Sequence, residues 1–395
     1  MRVTIATRIY APEPAAAAFR LAALGAALVA RGHRVTVLTS AVPKGLTDPT
    51  PTAGVAIRRA PVLRDARGQI RGYLQYLSFD VPLVFRLLFG RRADVVVVEP
   101  PPTTGAVVRL VCALRRAPYV YYAADIWSDA AASGAAPSWV VSGVRAMERW
   151  AYRGARDVIA VSPGVAARVR ELSGHDRVVV VTNGVDTDVF RPDGPPASAA
   201  PSIVYAGTTS EWQGAEVFIR AMPIVLESVP EARLVYVGQG TAWSALRELA
   251  SRTAPGAIDF VDAVPAPEAA GHLRAARIGA VSLRPGQGYD FAVPTKIFAS
   301  LACGTPVLFA GSGASVDVIT TGLGRSVDWD ARAVARAIIE MLHEPDDLDD
   351  RQERARWARD NASIAATGRA AAAAVEAAMT RNPGQSTTHI GRTSR

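Results

Sequence analysis

At 395 residues the chain is long enough for two domains with cores of ordinary size. Hydrophobic residues make up 49% and charged residues 20%, which excludes a disordered or low-complexity chain. The net charge of +8 is concentrated in the first half, since residues 1–190 hold 24 Lys+Arg against 14 Asp+Glu, or +10, and the remainder 20 against 22, or −2.

Short β-branched runs alternate with helical patterns from the start. "RVTIAT" (2–7) reads as a strand, "PAAAAFRLAALGAALVARG" (14–32) as a helix ended by Gly32, and "HRVTVLTS" (33–40) as the next strand. "ADVVVVEP" (93–100), "APYVYYAAD" (117–125), "RDVIAVS" (156–162) and "RVVVVTNG" (177–184) continue the series. Strands that are apolar throughout and separated by helices predict a parallel sheet covered on both faces, a doubly wound α/β domain. The stretch 183–202, rich in Pro, Gly, Ala and Ser, reads as a linker. The pattern then restarts with "SIVYAG" (202–207), "ARLVYVGQG" (232–240), "AIDFVDAV" (257–264), "RIGAVSLRP" (277–285), "TPVLFAG" (305–311) and "GRSVDWD" (324–330). The expected division is 1–190 for an N-terminal domain and 191–365 for a C-terminal domain. A helix over 366–382 would pack back towards the first domain, followed by a disordered tail at 383–395. Two such domains place ligands in the cleft at the carboxyl ends of their strands. The abundant alanines read as compositional bias and carry no structural expectation.

No signal peptide is visible and no apolar run reaches about 18 residues, so a cytoplasmic protein without a membrane span is expected. Cys112 and Cys303 lie in separate apolar segments without metal-ligand spacing, as in a reduced interior. The basic first half favours an acidic partner, membrane phosphates or a lipid diphosphate before nucleic acid, or else is a solubilising surface. Segments 73–92 and 103–118 mix apolar and basic residues at helical spacing. Each reads either as a helix lying on an anionic membrane or as a buried crossover helix, the latter favoured for the second.

The candidate chemistry centres on "YDFAVPTKIFASLACGTPVL" (289–308). Pro294 and Thr295 precede a helix whose first turn carries Lys296. A cation there opposes the helix dipole, and a diphosphate bound by the free N–H groups would explain it; the alternative is a lysine that snorkels outward. In "YAGTTSEWQG" (205–214), Gly207 at a strand end permits close backbone approach to a ligand. Asp125 ends a predicted strand and is either an acceptor-facing acid or the N-cap of the next helix. Glu13 and Arg20 lie beside the first strand's end, Glu13 placed to hydrogen-bond an acceptor and Arg20 equally placed for the surface.

With these motifs in order, the chain resembles glycosyltransferase family 4, of the GT-B fold. "NGVDTDVFRP" (183–192), "YAGTTSEWQG" (205–214), "VPTKIFASLACGTPV" (293–307) and "IAVSPGVAARV" (159–169) carry the resemblance, which runs over nearly the whole chain. Within the family it is similar to a bacterial subgroup of fucosamine- and colanic-acid-type transferases, with "AADIWSD" (123–129) where they have "RDLWP". Most of the family has two glutamates eight residues apart, the second associated with the nucleotide ribose. Ala299 and Phe291 stand at those positions here, with Asp290 adjacent and able to meet the donor sugar. The usual loop Arg and Lys are Thr208 and Gln213, and the catalytic-side His or Arg aligns with Ala124, followed by Asp125 and Trp127.

The resemblance implies transfer of a sugar from a nucleotide-diphosphate sugar with retention, without metal or other cofactor. Asp125, Lys296 and Glu13 would be catalytic. Gly207, Thr208, Gln213, Gly214, Asp290, Phe291, Pro294, Thr295 and Lys296 would bind the donor. The implied partners are that donor and a glycan, polyprenyl-linked or small-molecule acceptor, with peripheral contact at the inner face of the cell membrane and no nucleic acid. Surface-polysaccharide and metabolite tailoring both fit. A sugar-nucleotide binder that has lost turnover and a GT-B epimerase are the competing readings.

Overall fold

Seven parallel strands form the first sheet: β1 (Arg2–Ala6), β2 (Arg34–Ser40), β3 (Val55–Ala60), β4 (Val95–Val98), β5 (Tyr119–Ala123), β6 (Asp157–Ala160) and β7 (Val178–Val180), in the order β3-β2-β1-β4-β5-β6-β7. The computed structural model describes the chain except residues 14, 44–53, 66–67, 69, 71, 134–135, 196–202, 288, 320–321 and 381–395. The connections run through α1 (Ala16–Ala30), α2 (Tyr73–Phe89), α3 (Pro102–Arg115), α4 (Trp127–Ser133), α5 (Ser138–Gly154) and α6 (Pro163–Ser173). β4 shows why the sheet needs cover on both faces. Val95 and Val97 join the core beneath α1, while Val96 and Val98 join the core beneath α2 and α3. All four valines are buried, as the unbroken apolar run predicts.

A second sheet of six parallel strands follows: β8 (Ile203–Ala206), β9 (Leu234–Gly238), β10 (Ile258–Asp262), β11 (Ile278–Ser282), β12 (Val307–Ala310) and β13 (Gly324–Val327), ordered β10-β9-β8-β11-β12-β13. Its helices are α7 (Glu216–Ser228), α8 (Trp243–Thr253), α9 (Ala266–Ala275), α10 (Thr295–Ala302), α11 (Ala314–Val318), α12 (Ala331–His343) and α13 (Leu348–Ala362). In both sheets the strand order reverses beside the first strand, β1 and β8, so each has a switch point where the loops diverge.

One strand, β3, escaped the sequence reading: it is an edge strand whose "VAIRRA" exposes Arg58 and leaves Arg59 half-buried, donating to the Ser40 and Ala11 carbonyls, so it lacks the apolar run of its neighbours. Segment 73–92 contains the helix α2, in which Phe79, Leu83 and Leu87 are buried on one side while Leu77, Val81 and Phe85 are exposed on the other. Segment 103–118 is the crossover helix α3. Among the described residues no helix is long and apolar enough to cross a membrane.

The chain returns to the first sheet at its end. α13 packs on α10, then Val185 and Ser363 form a parallel bridge, and α14 (Ile364–Thr380) lies along α1. The alanines of "AALGAALVA" and "GRAAAAAVEAAMT" are what permit this close approach. A Cβ on Gly368 would lie 2.6 Å from the Ala23 carbonyl oxygen. Arg31 and His33 fasten the far end to Glu376, at 2.6 and 2.7 Å. The expected tail at 383–395 lies outside the described residues, as do residues 196–202 of the linker.

Since α14 can meet α1 only where backbone faces backbone, Gly368→Leu should lower the apparent Tm by several degrees, an overpacking cost of ~1–3 kcal/mol. An unchanged melting curve would show that the two helices separate without loss.

Candidate active site

Polar residues gather where the apolar strands end. In the first half, Thr7 and Arg8 follow β1, Glu99 follows β4 and Asp125 follows β5, and these residues line a cleft of about 590 Å³. Arg20 reaches the same place from α1. It is buried, paired with the equally buried Glu99, and donates to the Asn183 side chain at 2.8 Å. The surface alternative for Arg20 is therefore replaced by a core ion pair: the polar side of α1 turns inward at this turn because Glu99 needs a counter-charge. Asn183 belongs to the "NGVD" segment, so the pair also fixes the start of the crossing between the two sheets.

Asp125 is open to the cleft but ringed by protein on its other sides. That loss of solvent raises its carboxyl pKa, with Arg20 opposing and Glu99 reinforcing the shift. The alternative role for Asp125, capping the next helix, is taken by another residue. Glu148, fully buried on α5, accepts from the Trp127 and Ser128 amides at 2.8 and 3.1 Å and from the Tyr152 hydroxyl at 3.1 Å. Burial raises the Glu148 pKa as well. Glu13 lines the cleft with its carboxylate held by Arg64, at 3.1 and 3.3 Å.

Arg8 is the cleft residue that sequence reading missed. Its guanidinium lies 4.6 Å from the Tyr76 ring and 5.8 Å from the Trp127 ring, and donates to the Ile70 carbonyl at 2.8 Å. Burial lowers its pKa, against the pull of Tyr76, Asp80 and Glu99. Its Nε is buried without a partner. The signal was available in the sequence: Arg8 follows directly on an apolar strand, as Glu99 does.

The second half builds a different cluster. β8 ends in Gly207, whose φ is +123°, and the end of β9 presses against it: a Cβ on Gly238 would lie 2.2 Å from the Gly207 oxygen. The chain then passes through Thr208 into a tight 3₁₀ turn over Glu211–Gln213. Gln213 is buried and accepts from the Ser210 amide at 3.0 Å, closing that turn. Gly214, at φ +64°, hydrogen-bonds through its carbonyl to the Trp329 indole at 2.8 Å. Thus Gln213 and Gly214 shape the loop, whereas Gly207 and Thr208 face Lys296.

Lys296 stands in the first turn of α10, after Pro294 at the N-cap and exposed Thr295. Its side chain folds back over β8, with the amine 3.9 Å from the centroid of the Tyr205 ring and donating to the Thr208 carbonyl at 3.0 Å. It does not snorkel outward. Desolvation pushes its pKa down to about 7 from the usual 10.5. Ala299, one turn on, is buried in the core, so that position supplies no carboxylate to the site.

The aromatic residues of the 289–291 loop join the two clusters. Tyr289 stacks on Trp212 with ring centroids 4.3 Å apart, and Tyr289 and Phe291 both line the cleft. Phe291 also seals the two halves, since a Cβ on Gly164 of α6 would meet its Cβ at 2.4 Å. Asp290, between them, accepts from the Ser312 hydroxyl at 3.3 Å. The structure therefore brings Glu13, Asp125 and Phe291 to one cleft, and Gly207, Thr208 and Lys296 to one ledge beside it.

Residues 17–189 match the family described as Glycosyltransferase Family 4, and residues 200–344 match the one described as Glycosyl transferases group 1. A GDP-mannose-dependent alpha-(1-6)-phosphatidylinositol dimannoside mannosyltransferase from Mycobacterium tuberculosis is 30% identical over 225 residues, which cover 55% of this chain and 56% of the relative. The chain thus spans little more than half the length of the curated relative it matches. Among solved structures, sucrose-phosphate synthase from Thermosynechococcus elongatus superimposes with a TM-score of 0.69 at 19% identity over 96% of each chain. Anabaena HepE in complex with UDP does so with a TM-score of 0.69 at 16% identity, over 95% of this chain and 100% of that one. These likenesses show the fold, which is GT-B. With both halves matched in order, the chain belongs to glycosyltransferase family 4.

Proposed function

We propose that the protein transfers a glycosyl unit, with retained anomeric configuration, from a nucleotide-diphosphate sugar to an acceptor held in the cleft. The observation that carries this reading is Lys296. A lysine at a helix start, folded over an aromatic ring and a backbone carbonyl, pairs with no carboxylate among its hydrogen bonds and ion pairs. Such a group is poised for an anion. As the anomeric bond breaks, charge grows on the departing diphosphate. The Lys296 amine, protonated once the diphosphate is beside it, and the free amides of α10 favour that charge more than they favour the bound donor. In this reading the lysine and helix dipole supply the leaving-group stabilisation, and no metal or other cofactor is assigned a role.

Asp125 and Arg8 face the acceptor. The raised pKa of Asp125 suits a group that orients or accepts a proton from an attacking hydroxyl. Arg8, with its unpartnered Nε, suits an oxygen-rich or phosphate-bearing acceptor. Asp290 and Phe291, on the joining loop, would border the donor sugar. The curated relative's name makes GDP-mannose the first donor to try and a phosphatidylinositol mannoside the first acceptor, with contact at an anionic membrane surface. HepE's bound UDP is in keeping with a nucleotide-diphosphate site in this fold. The fucosamine-type donor implied by the subgroup resemblance belongs in the same trial.

Binding without turnover is the second reading, and buried Ala299 is what favours it. Thermal shift against a panel of nucleotide sugars, followed by transfer assays with the donor that raises Tm most, separates the two. A panel with no response removes the donor site altogether.

Lys296→Ala should lower kcat on the order of 100-fold with a smaller change in donor affinity. If affinity alone falls, the lysine contributes uniform binding.

Protonation gives an independent check. The free amine titrates near 7, and a diphosphate beside it must raise that pKa. Binding above pH 7 therefore draws in a proton, and affinity falls as pH rises. Calorimetry of GDP or UDP binding at pH 8, in two buffers of unlike ionisation enthalpy, should show uptake of up to about one proton. Lys296→Met should abolish the uptake. Native binding with no proton uptake would place the phosphates away from this amine.

A further inference from the structure

α2, α3 and α5 form one outer layer over the first sheet, with α3 between the other two. Their inward sides fill the core. Their outward sides are unlike an ordinary surface. On α2, Leu74, Leu77, Val81, Phe85 and Phe89 are each more than half exposed, spaced three or four apart along a single stripe. Leu110 and Leu114 of α3 and Trp139 of α5 are more than half exposed beside it. Eight strongly exposed large apolar side chains on three adjoining helices are more than scattered surface residues explain.

Its charge is one-sided. The three helices hold two carboxylates between them, Asp80 and Glu148, and both are buried. Arg145, Arg149 and Arg153 of α5 are exposed, as are Arg91, Arg92 and Arg116 at the ends of α2 and α3. Where α2 ends, Arg58, Arg86, Arg91, Arg92 and Arg115 line a small cavity of about 70 Å³, with no carboxylate among its lining residues. Repulsion from Arg58 adds to burial in lowering the Arg86 pKa. Like charges gathered without a counter-charge are stabilised by an anion.

We propose that the outer face of α2, α3 and α5 docks on an anionic phospholipid bilayer, the arginine-lined cavity taking headgroup phosphates while the α2 stripe enters the acyl boundary. The exposed apolar residues and the exposed arginines belong to the same three-helix layer and its ends, a mixture that suits interfacial binding. The proposal deepens the membrane contact proposed above and rests on that reading only for its purpose. α2 starts at Tyr73, carries Tyr76 of the cleft wall in its first turn and runs about 25 Å to the arginine cavity. A bilayer laid along it therefore meets the mouth of the cleft, and a lipid-borne acceptor reaches Asp125 without leaving the surface.

The test uses the whole chain without substrate, in co-sedimentation with vesicles of phosphatidylcholine alone or with phosphatidylglycerol added. Pelleting should require phosphatidylglycerol and weaken with salt. The triple variant Leu77→Glu, Val81→Glu, Phe85→Glu should lower partitioning at least tenfold, and Arg91→Ala with Arg92→Ala several-fold. Both should keep the native melting temperature and the native Tm rise on adding GDP or UDP. That nucleotide response reads the donor site separately, so its loss with docking intact would sink the transferase reading and leave this one standing. Equal pelleting with neutral vesicles, native partitioning by the triple variant, or a solution dimer that the triple variant dissolves would each overturn the proposal.

Discussion

The buried pair of Arg20 and Glu99 sets the geometry of the cleft. Taking two charges out of water costs several kcal/mol each, and the attraction between them offsets this only with good geometry and further hydrogen bonds. Asn183 supplies one of those, and Tyr122 offers its ring face 5.0 Å from the Arg20 guanidinium. The pair ties α1, the end of β4 and the "NGVD" segment together at one point. Any rearrangement of these three elements leaves a charge stranded in the interior. The neighbouring cleft residues inherit that rigidity: Asp125 feels both charges, and Arg8 lies within reach of Glu99 and Asp80.

Across the cleft the second half solves a different problem. Its ledge lacks a buried ion pair, and close backbone approach takes its place. Gly238 and Gly240 let the strand ends and loops meet at distances no side chain permits, and Gly207 supplies a backbone turn at φ +123°. Lys296 is then the ionisable group on the ledge among the described residues, its amine held by a ring and a carbonyl and ready to pair with an anion once protonated. The first half thus presents carboxylates and an arginine in a balanced network, and the second an unbalanced positive end. A substrate with a hydroxyl at one end and a diphosphate at the other would span the two in one orientation.

What the sequence made legible follows from this physics. Unbroken apolar runs such as those of β4 and β5 read as strands with cover on both faces, and of the thirteen strands among the described residues only β3 went unread. An edge strand carrying Arg58 and Arg59 has no such run. Lys296 was readable because a cation at a helix start contradicts the dipole, a local conflict visible in four residues. Glu148 was not, because its role depends on two amides some twenty positions away. Gln213 was placed in the right loop, yet its carbonyl closes the turn, a detail set by backbone geometry. The alanines of α1 and α14 carry meaning only as a pair, and the two segments lie more than three hundred residues apart.

α2 gathers these threads. Its buried side is ordinary core, its first turns contribute Tyr76 to the cleft, and Asp80 lies two turns from its start among the buried charges with Thr104 at 2.6 Å. A helix committed on one side to the core and at one end to the site has little freedom to shed its exposed apolar stripe by shifting. Rotating it to hide Leu77 and Phe85 would drag Asp80 and Tyr76 out of register with Arg8. The stripe is therefore fixed in place, close to the cleft, by the same contacts that build the cleft.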